Sequence, residues 1–353
     1  MPRDIDINGR LVGASHRPYI VAEMSANHNG DLSRAKEIVL EAKIAGADAV
    51  KLQSYTADSL TLDMRSPEFM ITSGLWAGQN LYDLYKSSAM PWEWHKPLFD
   101  YGKELGITIF SSPFDFSAVD MLAELGAPAY KIASFELLDT PLIEYAAKQG
   151  KPLIMSTGMA SIEEVDDAVK AARRGGCEEI LLLHCVSGYP AQHDEYNLAM
   201  IAEYGKEFHL NIGLSDHTVQ NTTAIAGVAL GACFIEKHVT LDRSGGGADD
   251  SFSIEPEELA DLVGQSKMAW AAIGKASNGL KKSEKDNVKF RRSLYVVEDI
   301  KAGETFTNFN LRSVRPGYGL APKYYENVLT KQAAKFIAAG SPLTQDLVRG
   351  FEL

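Results

Sequence analysis

The sequence predicts an α/β protein: a (β/α)8 TIM barrel followed by a small C-terminal domain. Eight short apolar segments lie between Tyr19 and His238, and the stretches between them are each long enough for one helix. Strand–helix alternation repeated eight times is typical of this barrel. The chain has 353 residues. A bare barrel needs only about 250, so we expect a second domain after it.

Four of the stretches between the apolar segments show clear helical periodicity. Residues that favour the start of a helix stand at Asp31, Ser117, Ser161 and Pro256, and glycines follow several expected helix ends. We therefore expect one helix after each strand. The four clearest predicted helices are Leu32–Ala45, Trp92–Leu105, Ile162–Arg173 and Glu257–Ile273.

Changes in composition divide the chain into three parts. Residues 1–275 are predicted to form the barrel, and 276–292, rich in Lys, Asn, Ser and Glu, are predicted to be a linker. Residues 293–353 are predicted to form a small α/β domain, which packs on the barrel or a partner chain because so few residues bury only a marginal core. Within the barrel, the insert Tyr55–Met90 is rich in Ser, Gly and aromatic residues, and we expect it to contact substrate.

The overall composition argues against several classes of function. The net charge of −12 disfavours a general nucleic-acid surface, although a locally basic pocket can still bind an anion. No segment approaches the roughly 20 apolar residues of a membrane span, and the first residues lack the apolar core of a signal peptide. Three cysteines without CxxC spacing are expected to be reduced and buried, so we expect a cytoplasmic protein without membrane or nucleic-acid partners.

Nearly every predicted strand ends in residues capable of chemistry. In such a barrel the carboxyl ends of the strands share one face, and that face carries the active site. We therefore expect a catalytic site there. The residues at these ends include Glu23, Lys51, Gln53, Ser111, Ser112, Lys131, Ser134, Ser156, Thr157, His184, Cys185, Ser215, Asp216, His217, Glu236, Lys237 and His238.

Two histidines are candidates for a metal site. His217 and His238 follow the seventh and eighth strands, which are neighbours in a closed barrel, so their imidazoles can converge on one divalent cation. Two protein ligands suit an exchangeable, open site, and we expect Mn²⁺, with Mg²⁺ or Co²⁺ as alternatives. The competing interpretation is that both histidines are structural and bind no metal.

Lysines and serines at neighbouring strand ends predict an anion site. Together they can bind phosphate and carboxylate through charge-assisted hydrogen bonds. One desolvated lysine could instead form a Schiff base, or the lysines could make structural ion pairs. We favour anion binding because three converging cations hold an anion well. The residues of this predicted site are Lys51, Lys131, Lys237, Ser134, Ser156 and Ser215.

Three further residues are placed to contact a polar substrate. Glu23 ends the first strand, where a carboxylate can act as a general acid or base or bind a sugar hydroxyl. Tyr189 and Asp249 lie in the loops after the sixth and eighth strands. The glycine-rich stretch 245–247 does not open a βαβ unit, so it does not predict a nucleotide site.

Five motifs stand in order along the chain: Ala22–Gly30, Ser111–Asp115, Tyr130–Ser134, Gly213–His217 and Glu236–His238. They resemble the nonulosonate (sialic acid) synthase family, and the tail from Arg291 through Gly317 resembles that family's C-terminal antifreeze-like (SAF) domain. Within the family, segments 81–85, 91–95 and 246–253 resemble the pseudaminate branch, which commonly has proline where Ala248 stands.

The resemblance implies a metal-dependent condensation of phosphoenolpyruvate with an N-acetylated aminosugar, which for this branch is 2,4-diacetamido-2,4,6-trideoxy-β-L-altropyranose. It implies that His217 and His238 bind the metal, and Glu23 is our candidate for the proton transfers. It also implies a domain-swapped homodimer in which one subunit's antifreeze-like domain caps the other's barrel. The implied phosphoenolpyruvate contacts are Lys51, Lys131, Ser134, Ser156, Ser187 and Ser215, and the implied sugar contacts are Glu23, Gln53, Tyr189, Asp249 and Arg315.

Three alternatives stay open on the sequence. A metal-independent Schiff-base aldolase of the same fold would use Lys131 or Lys237 as its nucleophile. A noncatalytic protein would bind carbohydrate or a partner through its C-terminal module. A sialate or legionaminate synthase would share the chemistry and differ in the sugar.

Overall fold

A closed barrel of eight parallel strands dominates the computed structural model, which describes residues 2–353. An antiparallel hairpin precedes it. The hairpin strands are β1 (Ile5–Ile7) and β2 (Arg10–Val12), and the barrel strands are β3 (Tyr19–Glu23), β4 (Ala49–Ser54), β5 (Thr108–Pro113), β6 (Tyr130–Ile132), β7 (Leu153–Ser156), β8 (Ile180–Cys185), β9 (Asn211–Asp216) and β10 (Phe234–His238). Each barrel strand pairs with the next in sequence, and β10 closes the ring on β3. The predicted barrel is confirmed.

Helices follow the strands as the periodicity predicts. The α-helices of this part are α1 (Leu32–Ala45), α2 (Ala57–Leu60), α3 (Leu81–Ser88), α4 (His95–Leu105), α5 (Phe116–Glu124), α6 (Thr140–Ala147), α7 (Ile162–Arg174), α8 (Met200–Phe208), α9 (Thr222–Ala229) and α10 (Pro256–Ile273). The N-caps Asp31 and Ser161 are confirmed by their side-chain bonds to the first turn. The predicted start at Ser117 is wrong, because Asp115 has the extended backbone of an N-cap and its carboxylate accepts from the Ala118 amide.

The amino end of the barrel is closed by the hairpin, which the sequence did not predict. Ile5, Ile7 and Val12 are buried in one apolar cluster with the first residues of the barrel strands. Among these, the rings of Tyr19 and Phe234 stack with their centroids 5.4 Å apart. The carboxyl ends of the strands are therefore the open end, where the predicted chemistry lies.

Residues from Lys275 to Leu353 form a second compact unit, divided from the first after Gly274. The antiparallel strands β11 (Ser293–Val296) and β12 (Leu311–Val314) and the helix α11 (Tyr325–Leu329) belong to it. The stretch 276–292, predicted to be a linker, groups with this unit and contains the 3-10 helix Lys282–Phe290. Buried residues of its own core include Leu294, Val296, Ile300, Phe306, Leu311 and Leu343.

Candidate active site

A cavity of about 450 Å³ lies at the carboxyl ends of the barrel strands. Residues from the strands, from their loops and from the insert Tyr55–Met90 line it. Arg315 belongs to the second unit, so its predicted contribution stays a prediction. The predicted site residues that line the cavity are Glu23, Lys51, Gln53, Lys131, Ser134, Ser156, Ser187, Tyr189, Ser215, His217, His238 and Asp249.

Glu236 is the centre of a buried charge network that the sequence analysis did not assign. Its Oε1 lies 3.0 Å from both Lys51 Nζ and Lys131 Nζ and accepts a hydrogen bond from Ser215 Oγ at 3.1 Å. Burial raises the pKa of Glu236, but the two ammonium groups outweigh that effect and hold the pKa well below its usual range. The carboxylate stays ionised and fixes both lysines, while its Oε2 has no hydrogen-bond partner.

Glu23 is a second carboxylate in contact with Lys51. Its Oε2 is 3.3 Å from Lys51 Nζ, and its Oε1 accepts a hydrogen bond from Gln53 Nε2 at 3.0 Å. Complete burial raises the pKa of Glu23 to about 7 despite the attraction of Lys51. A carboxyl group that titrates near neutrality can both give and take a proton, as a general acid–base group must.

Lys237 does not join the anion site, so the prediction that it binds an anion in the pocket is wrong. Successive residues of a strand point to opposite sides, so Glu236 and His238 face the cavity while Lys237 faces the surrounding helices. Its ammonium group pairs with Asp216 Oδ2 at 2.8 Å and donates to the backbone carbonyls of Thr218 and Gln220. Lys237 therefore has a structural role.

Serines and one glycine form a small polar cradle beside the lysines. Ser156 Oγ is buried without a hydrogen-bond partner, and Ser134 Oγ accepts from the Gly158 amide at 3.1 Å. A Cβ at Gly158 would come within 2.3 Å of Ser187 Oγ and 2.7 Å of Ser134 Oγ, so only glycine fits there. Serine hydroxyls in one cavity with two ammonium groups suit the oxygens of a phosphate or carboxylate.

His217 and His238 lie side by side at the cavity wall, with ring centroids 5.3 Å apart. Nδ1 of His217 is 2.8 Å from the carbonyl oxygen of Val186, which leaves Nε2 for a ligand, and Nδ1 of His238 is buried without a partner. Burial holds the pKa of His238 well below its usual value, so this ring is neutral. Among residues 2–353 no set of three or more ligand side chains is arranged around one point. His217 and His238 are thus the two imidazoles available to a cation here, and the metal site stays a prediction.

Cys185 is a cavity residue that the sequence predicts only as a buried thiol. Cys177, Cys185 and Cys233 are indeed all free and buried. Burial raises the pKa of Cys185, but His217, Ser134 and Lys131 together outweigh it and lower the pKa to about 7. Burial also lowers the pKa of His217, but its net pKa is raised, chiefly by Cys185. The two side chains form one polar pair in the cavity wall.

Tyr189 and Asp249, from the loops after β8 and β10, both line the cavity. The Tyr189 ring packs against His217, with centroids 4.6 Å apart, and Asp249 accepts a hydrogen bond from Ser25 Oγ. Burial raises the pKa of Asp249. Ser25 belongs to the motif after β3, so this bond joins the first and last loops of the barrel where β10 and β3 lie side by side.

Glu136 is a second cavity carboxylate that the sequence analysis missed. It lies in the short 3-10 helix Ser134–Glu136 after β6, and its Oε2 is buried without a partner. Burial raises the pKa of Glu136 to about 7 from 4.5, although Lys131 opposes the rise. The sequence could have predicted Glu136 as a site residue, because it lies only two residues after Ser134, at the same strand end.

The raised pKa of Glu136 predicts a pH-dependent contribution to stability. A carboxyl whose folded-state pKa exceeds its unfolded value favours folding below the unfolded pKa and loses that contribution as the pH rises through about 7. Between pH 5 and pH 8, we expect the free energy of unfolding of Glu136→Gln to rise by on the order of 2 kcal/mol relative to that of wild type. Thermal unfolding across this range measures it, with Glu124→Gln, on an exposed position of α5, as the control. If the stability of wild type and of Glu136→Gln changes with pH in the same way, the raised pKa of Glu136 is contradicted.

Comparison with known proteins identifies the family. The model of the NeuB family matches residues 38–278, and the SAF domain model matches residues 291–349. The chain belongs to the NeuB family. A pseudaminic acid synthase of Helicobacter pylori is 42% identical over 330 residues, which cover 93% of this chain and 97% of the relative. The predicted resemblance and the C-terminal SAF domain are thereby confirmed.

Other relatives of this NeuB-family chain are named as synthases of different sugar acids. An N,N'-diacetyllegionaminic acid synthase of Campylobacter jejuni is 38% identical over 324 residues, 90% of this chain and 96% of that one. The crystal structure of the N-acetylneuraminic acid synthetase of Leptospira borgpetersenii, in complex with citrate, has a TM-score of 0.74 at 31% identity and covers 82% of this chain and 97% of that chain. None of the helices in the described part of the chain has the length and apolar character needed to cross a membrane.

Proposed function

We propose that this enzyme is a pseudaminic acid synthase, which condenses phosphoenolpyruvate with 2,4-diacetamido-2,4,6-trideoxy-β-L-altropyranose and water to give pseudaminate and phosphate. The observation that carries the proposal is one cavity holding two buried lysines, several serine hydroxyls and two adjacent histidines. The likeness to pseudaminic acid synthases over most of the chain supports this choice of sugar.

Phosphoenolpyruvate is proposed to bind at the lysine end of the cavity. Lys51 and Lys131 supply two positive charges that Glu236 holds in place, and the cradle serines supply donors for the phosphate and carboxylate oxygens. Charge-assisted bonds at both groups would fix the orientation of the enol, so that its C3 faces the second substrate. The serines of the cradle are Ser134, Ser156 and Ser187, and Ser215, which donates to Glu236, lines the same cavity.

The sugar is proposed to bind beside the histidines, near Tyr189 and Asp249. A divalent cation held by His217 and His238, Mn²⁺ as expected from the sequence, would supply Lewis-acid polarisation of the open-chain aldehyde when bound. Gln53 would donate to the sugar or hold Glu23, to which its amide already donates. These contacts orient C1 of the sugar toward C3 of the enol.

The proton transfers are proposed to involve Glu23. The C2–C3 electron pair of phosphoenolpyruvate forms the new bond to C1, and the aldehyde oxygen takes a proton, which Glu23 can give because burial keeps its pKa at about 7. Water adds at C2 and returns one proton to Glu23. The C2–O bond to phosphate then breaks, its electron pair and the second proton of the water leave with the phosphate, and C2 becomes the ketone. The buried lysines and serines stabilise the negative charge on the departing phosphate.

The test is phosphate release from phosphoenolpyruvate in the presence of Mn²⁺ and a panel of sugars. We expect release with the diacetamido-trideoxy-altrose and sensitivity of that release to EDTA. Release only with N-acetylmannosamine or with the legionaminate precursor would replace the sugar and keep the chemistry. No release with any 2-acetamido sugar contradicts the synthase. Activity that survives EDTA and a borohydride-trapped adduct on Lys131 would support the Schiff-base aldolase instead.

A further inference from the structure

One wall of the cavity comes from the insert and is almost entirely apolar. Two residues of this segment, Tyr55 and Ser88, line the cavity beside six apolar or aromatic ones: Leu60, Ile71, Trp76, Leu81, Leu84 and Tyr85. They include the end of α2 and one face of α3, and they continue into Tyr55 and Phe114, whose rings meet edge to face 5.3 Å apart. This group of six residues is called the insert wall below. It faces the same space as the charged strand ends.

The insert is not apolar overall, so this arrangement is specific to its inner side. The segment carries six charged residues, all exposed and none lining the cavity among the residues the structure describes: Asp58, Asp63, Arg65, Glu68, Asp83 and Lys86. Arg65 pairs with Asp63 and Asp83 in solvent. The segment therefore separates charge toward water from apolar surface toward the cavity, as a ligand-binding wall does.

Trp76 fastens the insert wall to the part of the cavity proposed to hold the sugar. Its Nε1 donates to the carbonyl oxygen of Ala248 at 3.0 Å, next to Asp249, and its ring lies against Tyr189 with centroids 5.7 Å apart. Asp249 and Tyr189 are the proposed sugar contacts. A ligand bound by them is in one cavity with the insert wall, which Trp76 brings against Tyr189.

We propose that the insert wall determines sugar specificity, by binding the methyl groups of the 6-deoxy, acetamido-substituted sugar and disfavouring a hydroxymethyl group at the same position. The inference rests on the proposed function. A sugar with a C6 methyl and two acetamido methyls presents an apolar side that this wall can cover, and burying it releases water. An added hydroxyl that faces the alkyl side chains of this wall, Leu60, Ile71, Leu81 and Leu84, would find no hydrogen-bond partner in them.

The test compares two sugars that differ by one oxygen atom: the diacetamido-trideoxy-altrose and its 6-hydroxy analogue. We expect wild type to prefer the 6-deoxy sugar by roughly 10–100-fold in kcat/KM, the range an apolar pocket gives against an added hydroxyl. Leu60→Thr and Ile71→Thr are each expected to reduce that preference about fivefold or more, through the KM of the sugar, with the KM of phosphoenolpyruvate unchanged. Ile71→Val is expected to retain the preference.

The matched control is Leu62→Thr. Leu62 lies two residues from Leu60 in the same insert, but it is 64% exposed and does not line the cavity. A wild-type preference near one, or lining variants with the same preference as Leu62→Thr, would overturn the inference and leave the synthase intact. A wild type that releases no phosphate with either sugar, or with any other in the panel, contradicts the proposed function itself and the inference with it.

Discussion

Replacing Glu236 with glutamine is expected to destabilise the barrel by about 3–5 kcal/mol, because it leaves Lys51 and Lys131 buried without their shared carboxylate. Glu23 then remains as the only carboxylate in contact with Lys51 among the residues described, and Lys131 has none. Thermal unfolding with EDTA present measures the effect, which corresponds to a midpoint lowered by roughly 5–10 °C.

Glu203→Gln is the matched control for this substitution. Glu203 pairs with Lys206 on the surface of α8, with both side chains more than half exposed, so its loss should cost less than about 1 kcal/mol. If Glu236→Gln lowers the stability no more than Glu203→Gln does, the buried lysines do not depend on Glu236 for their charge.

Replacing His238 with alanine is expected to reduce phosphate release by at least ~10³-fold while the fold is preserved, because one of two proposed metal ligands is lost. His238 lies at the end of β10 beside His217, and its Nδ1 has no hydrogen-bond partner whose loss would destabilise the protein. Calorimetric titration with Mn²⁺ gives an independent readout, and we expect its affinity to fall together with activity.

His193→Ala serves as the control for both measurements. His193 is exposed on the loop after β8, bonds Thr223 and does not line the cavity, so activity and Mn²⁺ affinity should match wild type. Full activity in His238→Ala would remove the proposed metal role. Lost activity with unchanged Mn²⁺ affinity would assign His238 to the sugar instead.

The barrel and the position of its active face were predictable from sequence. Apolar segments of strand length, each followed by a helical stretch, leave few other arrangements, and parallel strands in a barrel bring their carboxyl ends to one face. His217 and His238 could be paired because neighbouring strands in sequence are neighbours in this ring. The strand ends therefore predict the position of the cavity.

Which charged residues face the cavity and which have a structural role was not predicted. Glu236 and Lys237 are adjacent in sequence, and only the direction of the strand decides which one faces the cavity. Alternation from His238 would have placed Glu236 inside and Lys237 outside, so this error could have been avoided. The insert wall could not be derived, because its residues come from short helices and turns whose packing the sequence pattern does not fix.

The N-terminal hairpin has a kinetic consequence. Because Ile5, Ile7 and Val12 pack into the amino end of the barrel, the described cavity is reached from the carboxyl ends of the strands. Under the proposed function, both substrates and both products therefore pass through the same end of the barrel. Bound phosphate or pseudaminate is then expected to slow turnover until it leaves by the route on which new substrate arrives.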